Sequence, residues 1–327
     1  MAATGGRADA LTEGSGRHCL ARCGTVPVTI LVLGAGGQLG LELEIYADKG
    51  GKVIYLPHSN ADICDKSEIT DAILHINPST IINCAAYTAV DRAEAEPQRA
   101  FAINADGVEN VARAAARVGA RLIHISTDYV FDGCSRIPYT PADATAPLSV
   151  YGESKLQGEE RALRTLGERA LVIRSAWLHS ARAGNFVSTI LRLLRERDAL
   201  RVIDDQVGSP TQAGALAQTI WCVVTDAPAA HGVWHWAQSG AASWHGFACE
   251  IQRRALALGL LKQEIPITAI PSAEYPQAAR RPAYSVLDCA AARQALGVEA
   301  DSWQAGVGRT LQEGVARGLF LRADRLM

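Results

Sequence analysis

Tyr151 and Lys155 are four residues apart in a segment with helix-favouring composition that begins after Pro147 and Ser149. Residues four apart share one face of a helix, so the phenol and the ammonium would point the same way. A nearby cation favours the phenolate, and bringing a tyrosine pKa from about 10 to neutrality requires on the order of 4 kcal/mol. The pair could therefore give a proton to a carbonyl oxygen or take one back.

The same spacing also fits an ordinary amphipathic helix, so the pair needs support from its context. Lysine is scarce here, since only five of the 32 Lys and Arg residues are lysines. A compact ammonium is not interchangeable with a guanidinium, which favours a specific role for Lys155. The segments upstream of Tyr151 add stronger support.

A glycine-rich loop follows the first predicted strand, Val26 to Leu33, and opens a predicted helix. Gly34, Gly37 and Gly40 would let the backbone turn tightly and approach a pyrophosphate, whose charge the helix N-terminus would hold. The alternative is a plain tight turn. The position between strand and helix favours a dinucleotide site.

The second predicted strand (53–56) is not followed by the acidic residue that usually binds the adenine ribose. Both NADPH and NADH therefore remain possible cofactors, and His58 and Ser59 could accommodate the 2′-phosphate of NADPH. Asp62 and Ile63 could contact the adenine instead.

Two further predicted strands end in residues that suit a ligand cleft shared with the glycine loop. Ala85, Ala86 and Tyr87 follow the third strand, and Thr127 ends the fourth, where its hydroxyl could reach the cleft of Tyr151. Open α/β sheets bind ligands at this carboxyl edge. His124, in the middle of the fourth strand, is expected to be a core residue rather than a ligand.

The alternation of strands and helices predicts an α/β fold with a doubly wound (Rossmann) parallel sheet. We assign residues 27–178 and about 202–238 to an NAD(P)-binding domain. Residues about 179–201 and 239–327 would form a smaller C-terminal substrate-binding lobe. Residues 1–26 lack apolar periodicity and are expected to be a disordered extension.

Composition excludes several classes of function. The net charge of −2 gives no electrostatic case for nucleic acid or an anionic membrane, and no apolar run could span a bilayer. The eight cysteines form no CxxC pair and the histidines have no zinc spacing, so we expect no metal centre. Buried, reduced thiols in a cytoplasmic protein are the better interpretation.

The motifs together resemble those of the extended short-chain dehydrogenase/reductases, and among these the dTDP-4-dehydrorhamnose reductases. The resemblance covers about residues 28–320. It is most specific in the Ser126–Gly133 and Asp204–Thr211 segments. The other matching segments are Gly34–Gly40, Asn83–Asp91, Tyr151–Lys155, Arg174–Trp177 and Arg281–Pro282.

The resemblance implies NADPH- or NADH-dependent reduction of the C4 keto group of dTDP-4-dehydrorhamnose, the last step of dTDP-rhamnose biosynthesis. Tyr151 would donate the proton, Lys155 would bind the nicotinamide ribose and lower the tyrosine pKa, and Thr127 would hold the reacting oxygen. The implied substrate-binding residues are Thr127, Asp128, Trp177 and Arg281. The implied cofactor-binding residues are Gly34, Gly37, Gln38, Leu39, Gly40, Asp62, Ile63, Ala85, Ala86, Tyr87, Tyr151 and Lys155.

The partners and two rival functions stay open at this stage. Some members of the family dimerise through Mg²⁺ held by glutamates. Glu42 matches one such position, but Gly214 stands where another would be, so a homodimer is possible and a bridging Mg²⁺ is doubtful. A sugar-nucleotide epimerase would share the fold and the Tyr/Lys pair. The NADP-binding regulatory subunit of methionine adenosyltransferase has overlapping motifs and needs no turnover.

Overall fold

The computed structural model describes residues 29–47, 51–182 and 184–321. In chain order its strands are β1 (Thr29–Leu33), β2 (Lys52–Leu56), β3 (Thr80–Asn83), β4 (Arg121–Thr127), β5 (Ala170–Ser175), β6 (Leu178–His179), β7 (Leu200–Ile203), β8 (Val207–Gly208), β9 (Thr211–Gln212), β10 (Gly232–His235), β11 (Ala242–Ser243) and β12 (Ile267–Ile270). Its α-helices are α1 (Gln38–Ile45), α2 (Lys66–Ile76), α3 (Val90–Ala95), α4 (Pro97–Phe101), α5 (Val108–Arg117), α6 (Val150–Leu166), α7 (Phe186–Glu196), α8 (Ala213–Asp226), α9 (Trp244–Ala257), α10 (Ala290–Leu296) and α11 (Trp303–Ala316).

Six parallel strands form the central sheet in the order β10-β5-β4-β3-β1-β2. Side chains alternate between the two faces of a strand, and in β1 both faces are apolar. Ile30 and Val32 pack with α1 and α8 on one face, whereas Leu31 and Leu33 pack with α2 and α5 on the other. The doubly wound parallel sheet predicted from the sequence is therefore confirmed.

The order of the strands places the ligand crevice. β2 lies on one side of β1 in the sheet, and β3, β4 and β5 follow one another on its other side. The loops after β1 and β3 consequently diverge to opposite faces, and a cleft opens between them at the carboxyl ends of the strands. The glycine loop lies at this point.

The helical segment from Pro97 to Arg117 is not one continuous α-helix. It is divided into α4 and α5 by a π-helical segment, Ala102–Gly107. A π segment adds a residue to a turn, and such segments are frequent at functional sites. The extra residue rotates Asn104 inward, where it is fully buried.

A second apolar core lies outside the sheet. Helices α7, α9 and α11 supply most of it, and their buried side chains include Val187, Ile190, Phe247, Ile251 and Leu311. The parallel pair of β7 and β12 packs against α9. This core matches the position of the predicted substrate lobe, although β7 contributes Leu200 and Val202 to it rather than to the sheet.

The segment predicted to be a disordered extension, residues 1–26, lies outside the described residues. The six described cysteines are free thiols, but the prediction that they are buried is wrong for Cys64 and Cys134, which are exposed because they lie in loops. Within the described ranges, the helices are too short or too polar to cross a membrane.

Candidate active site

Helix α6 begins where its cap predicts and brings Tyr151 to the end of β4. Ser149 is the N-cap and accepts a hydrogen bond from the amide of Gly152 at 3.2 Å. The Tyr151 ring packs edge-on against Tyr129, with centroids 5.8 Å apart. Its hydroxyl lies beside the side chain of Thr127. The sequence-predicted pair of phenol and threonine hydroxyl is thus assembled by α6 and β4.

The environment of Tyr151 keeps its phenol protonated. Burial raises the pKa of Tyr151 to about 12, the Thr127 side chain lowers it, and the nearby Asp128 raises it further. This differs from the prediction that Lys155 brings this pKa towards neutrality, because burial of the phenol is the largest influence on its pKa. A proton donor must hold its proton at the working pH, and Tyr151 does so.

Lys155 lies beneath Tyr151, with 2% of its surface exposed. Its Nζ donates a hydrogen bond to the backbone oxygen of Ile125 at 2.7 Å. Burial lowers the pKa of Lys155 to about 8, and the charge of Glu159 acts in the opposite direction. A lysine in this state is close to its titration at physiological pH, so small changes in its surroundings change its charge.

A cleft of about 760 Å³ lies beside this pair at the switch point of the sheet. Predicted cofactor residues that line it are Gly34, Gly37, Asp62, Ile63, Ala85, Ala86 and Tyr87, together with His58 and Ser59. Arg99, which the sequence analysis missed, also lines it, and its guanidinium lies 5.6 Å from the centroid of the Tyr87 ring. No local sequence pattern marks Arg99, because α4 reaches the cleft only through the tertiary fold.

The glycine loop fits a dinucleotide. Gly34 has a φ of +73°, and a Cβ there would lie 2.5 Å from the amide nitrogen of Ala85, so only glycine is accommodated. Gly37 is the N-cap of α1 and provides no side-chain cap for the first amides of that helix. Those amides and the helix dipole would hold the pyrophosphate of a nicotinamide dinucleotide.

Five predicted cofactor residues do not line the cleft: Tyr151 and Lys155, which lie beside it, and three residues at the start of α1. Leu39 is buried in the core below the loop, and a Cβ on Gly40 would meet Ala35 at 2.5 Å, so both positions serve packing between α1 and the loop. Gln38 accepts a hydrogen bond from the amide group of Asn185 at 3.0 Å, which connects α1 to α7. Their approach to a cofactor would be through their backbone amides.

Asp128 connects the catalytic strand to the C-terminal part of the chain. It is buried, and its carboxylate accepts hydrogen bonds from Thr127 Oγ1 at 3.1 Å and from Ser285 Oγ at 2.6 Å. Burial raises the pKa of Asp128 to about 7, while both hydroxyls lower it. Asp128 can therefore act as a hydrogen-bond donor or acceptor towards a sugar near neutral pH.

Arg281 forms a bridge over the site. Its guanidinium donates to both oxygens of Asp91, at 3.0 and 2.6 Å, and it lies near Tyr129. Asp91 also accepts a bond from the amide of Ala279 at 3.1 Å. The bridge joins α3 to the segment before Ser285, and Tyr129 lies between Arg281 and the Tyr151 ring.

Trp177 is held in a strained conformation at the edge of the second core. Its φ is +48°, its indole stacks on Trp244 at 3.5 Å between centroids, and its Nε1 is buried without a hydrogen-bond partner in the described structure. A Cβ on Gly208 would lie 2.5 Å from the indole. The glycine of the Asp204–Thr211 motif is therefore required for the position of Trp177.

Asn104 was not among the residues singled out from the sequence, and it joins two elements of the candidate site. From the π segment, its side chain bonds the amide of Tyr87 at 2.8 Å and the carbonyl of Tyr87 at 3.0 Å, and it donates to Ser154 Oγ at 3.0 Å. It thereby joins the cofactor loop to the catalytic helix. A polar residue within an apolar helical pattern was the available signal.

The expected core position of His124 is confirmed, since it is fully buried beside Asn83.

The surroundings of Glu42 do not fit a bridging Mg²⁺. Glu42 is buried, its nearest cation is Arg182 at 3.9 Å, and Glu313 is hydrogen-bonded to the hydroxyl of Tyr46. A Cβ at Gly214 would meet the Tyr46 ring at 2.8 Å, so no ligand side chain fits there. Among the described residues no cluster of three or more His, Cys, Asp or Glu side chains is present.

Comparison with known proteins follows this geometry. Residues 28–315 match the family model described as RmlD substrate binding domain. A dTDP-4-dehydrorhamnose reductase of Aggregatibacter actinomycetemcomitans is 40% identical, covering 84% of this chain and 95% of the relative. One from Escherichia coli K12 is 39% identical over 88% and 98% of the two chains. The crystal structure of the Bacillus anthracis dTDP-4-dehydrorhamnose reductase in complex with NADP has a TM-score of 0.83 and 34% identity, covering 88% of this chain and all of that one.

Proposed function

This chain belongs to the family of the dTDP-4-dehydrorhamnose reductases, and we propose that Tyr151 is the proton donor of their reaction here. The reaction is the NAD(P)H-dependent reduction of the C4 keto group of dTDP-4-dehydrorhamnose to dTDP-L-rhamnose. The observation that supports this most is the contact of Tyr151 with Thr127 at the end of β4, beside the glycine-lined cleft.

The proton transfer follows from the environment of the phenol. When bound, the nicotinamide supplies the hydride, and negative charge then develops on the C4 oxygen of the sugar. Tyr151 is protonated at neutral pH and meets this charge with its proton. Thr127 would donate a second hydrogen bond to the same oxygen by turning its hydroxyl away from Asp128. Lys155 below the phenol would hold the ribose hydroxyls and stabilise the phenolate that the transfer leaves.

The remaining residues bind and orient. Gly34, Gly37, Asp62, Ile63 and the Ala85–Tyr87 segment would hold the dinucleotide in the cleft. On the other side, Asp128, Trp177 and Arg281 would hold the substrate. Arg281 suits an anionic sugar nucleotide because a guanidinium binds phosphate oxygens in a bidentate manner. The pair with Asp91 keeps it at the entrance of the site.

The domain boundaries stay a proposal, with the sheet as the cofactor domain and the second core as the substrate lobe. The homodimer and the cytoplasmic location also stay predictions.

The test is an assay of the wild-type protein with dTDP-4-dehydrorhamnose and each reduced nicotinamide, followed by loss of the nicotinamide absorbance. Tyr151→Phe keeps the ring and removes the proton donor, so turnover should fall by about 10²–10⁴-fold with an unchanged melting temperature. Lys155→Met should lower both turnover and cofactor affinity. The double variant should lose less than the product of the single losses, because the two residues act as a unit.

Near wild-type reduction by Tyr151→Phe would contradict the assignment. A wild-type protein that binds NADP, turns over no keto sugar and co-purifies with a methionine adenosyltransferase would instead indicate a regulatory subunit. Tightly retained NAD⁺ would indicate an epimerase.

A further inference from the structure

A buried ion pair lies one helical turn below Lys155. Glu159 on α6 and Arg174 on β5 are 1% and 4% exposed. Arg174 donates from Nε to both carboxylate oxygens at 3.0 and 3.1 Å and from Nη2 at 2.7 Å. Replacing such a pair by apolar residues is often neutral or stabilising, so stability alone gives little reason for it.

The pair is connected to the catalytic strand through Ser126, whose hydroxyl also donates to Glu159. Two consecutive residues of β4 therefore hold two successive turns of α6. The backbone of Ile125 accepts from Lys155, and Ser126 donates to Glu159. The next residue of β4, Thr127, lies beside Tyr151. Tyr151, Lys155 and Glu159 are spaced at four-residue intervals and consequently share one face of the helix.

The groups around Lys155 leave Glu159 as its main source of negative potential. Burial raises the pKa of Cys84, which follows β3, to about 12, so its thiol is neutral. Burial and the charge of Lys155 hold the pKa of His124 on β4 well below its ordinary value, so it is neutral too. Tyr151 on α6 is protonated, as shown above. The charge of Glu159, one helical turn away, favours the Lys155 ammonium, whereas burial disfavours it.

Arg174 on β5 and Asp128 after β4 complete the charged surroundings. Arg174 fixes Glu159 in place and partly offsets its charge. Asp128 faces Tyr151 and Ser285.

We propose that Glu159 is a positioning residue of the reaction: held by Arg174 and Ser126, its carboxylate keeps Lys155 charged and fixes the register of α6 on β4. The inference rests on the proposed function, since it concerns the lysine of the same site. Glu159 touches neither substrate nor cofactor and acts through Lys155.

The test compares the pH profile of kcat between Glu159→Gln and wild type. Glutamine keeps the shape of the side chain and removes its charge, so the Lys155 pKa should fall and the alkaline limb of the profile should move to lower pH by about one unit or more. The pH dependence of NADPH affinity, measured by nicotinamide fluorescence, should shift in the same direction, so that affinity begins to fall at a lower pH than in wild type. Glu160→Gln is the matched control, because Glu160 is the exposed neighbour on the same helix, and it should leave both profiles unchanged.

Glu159→Gln leaves the buried Arg174 without its counter-charge and could destabilise the fold. Glu159→Gln with Arg174→Met removes both charges and should recover the melting temperature while keeping the displaced alkaline limb. Glu159→Asp keeps the negative charge, so the alkaline limb of its kcat profile should lie between those of Glu159→Gln and wild type.

A profile of Glu159→Gln that coincides with wild type would overturn the proposal. So would a double variant whose stability and pH profile both return to wild type, because the role would then be structural. If the wild type turns over no keto sugar, the proposed function fails, and the NADPH-binding profile alone still decides whether Glu159 controls Lys155.

Discussion

Gly158 on α6 faces the carbonyl of Asn104, and alanine at this position should displace the catalytic helix. A Cβ on Gly158 would lie 2.0 Å from the oxygen of Asn104, whereas ordinary contact begins at 3.4 Å. Helix and π segment must therefore separate by about 1.4 Å. The obstacle is backbone rather than a flexible side chain, so rotamer changes cannot relieve the clash.

The magnitude follows from two opposing terms. Overpacking costs about 3 kcal/mol at a rigid contact, and the higher helix propensity of alanine returns about 1 kcal/mol, which leaves a net loss of about 2 kcal/mol. Displacement of reacting groups by about 1 Å can cost about 10²-fold in rate. Gly158→Ala should therefore lower kcat by about 10²-fold, since Tyr151 and Lys155 move with α6.

The assay combines denaturant unfolding with steady-state reduction of the keto sugar. Gly246→Ala is the matched control, because its Cβ would meet Ser243 Oγ at 3.4 Å, an ordinary contact within α9. It should be neutral or stabilising by up to about 1 kcal/mol. If Gly158→Ala retains turnover within about twofold and full stability, the argument from close packing is refuted.

Three further outcomes are expected. The preference between NADPH and NADH should be less than about tenfold, under 1.4 kcal/mol, because no acid follows β2 and His58 and Ser59 line the cleft; a preference of several hundredfold in steady-state kinetics would contradict this. Asp128→Asn should become more stable relative to wild type as pH rises. The pKa of Asp128 is raised to about 7 in the folded state, so between about pH 4 and 7 the folded protein binds a proton that the unfolded chain has lost. The wild type therefore loses stability as pH rises through that window, and the asparagine variant does not. The difference in unfolding free energy should grow by on the order of 2 kcal/mol between about pH 5 and pH 8, and a constant difference would show that Asp128 is not perturbed. Asp91→Asn should raise KM for the sugar nucleotide several-fold with little change in kcat, because it weakens the bond that orients Arg281, and an unchanged KM would exclude that role.

Local chemistry made several features predictable from the sequence. Ser149 caps α6 because a serine hydroxyl accepts from a first-turn amide, and the spacing of Tyr151 and Lys155 on that helix follows from 3.6 residues per turn. The apolar strands and the glycine loop after β1 gave the parallel sheet and its cleft. Each of these depends on residues close together in the chain.

The remaining features depend on which elements the tertiary structure brings together. Arg99 lines the cleft because the fold places α4 beside it. Asn104 points inward from a π segment, and a period of 3.6 residues cannot indicate that turn. Asp91 meets Arg281 across 190 positions of the chain, and Asp128 meets Ser285 across 157.

The sign of a pKa shift was also decided by the tertiary structure. The spacing of Tyr151 and Lys155 predicts attraction between phenolate and ammonium, but spacing carries no information on burial. In the folded protein, desolvation raises the pKa of the phenol and lowers that of the ammonium. Desolvation depends on every element packed around a group. The sequence therefore indicated the candidate catalytic pair, while the packing of α6 on β4 determined its protonation.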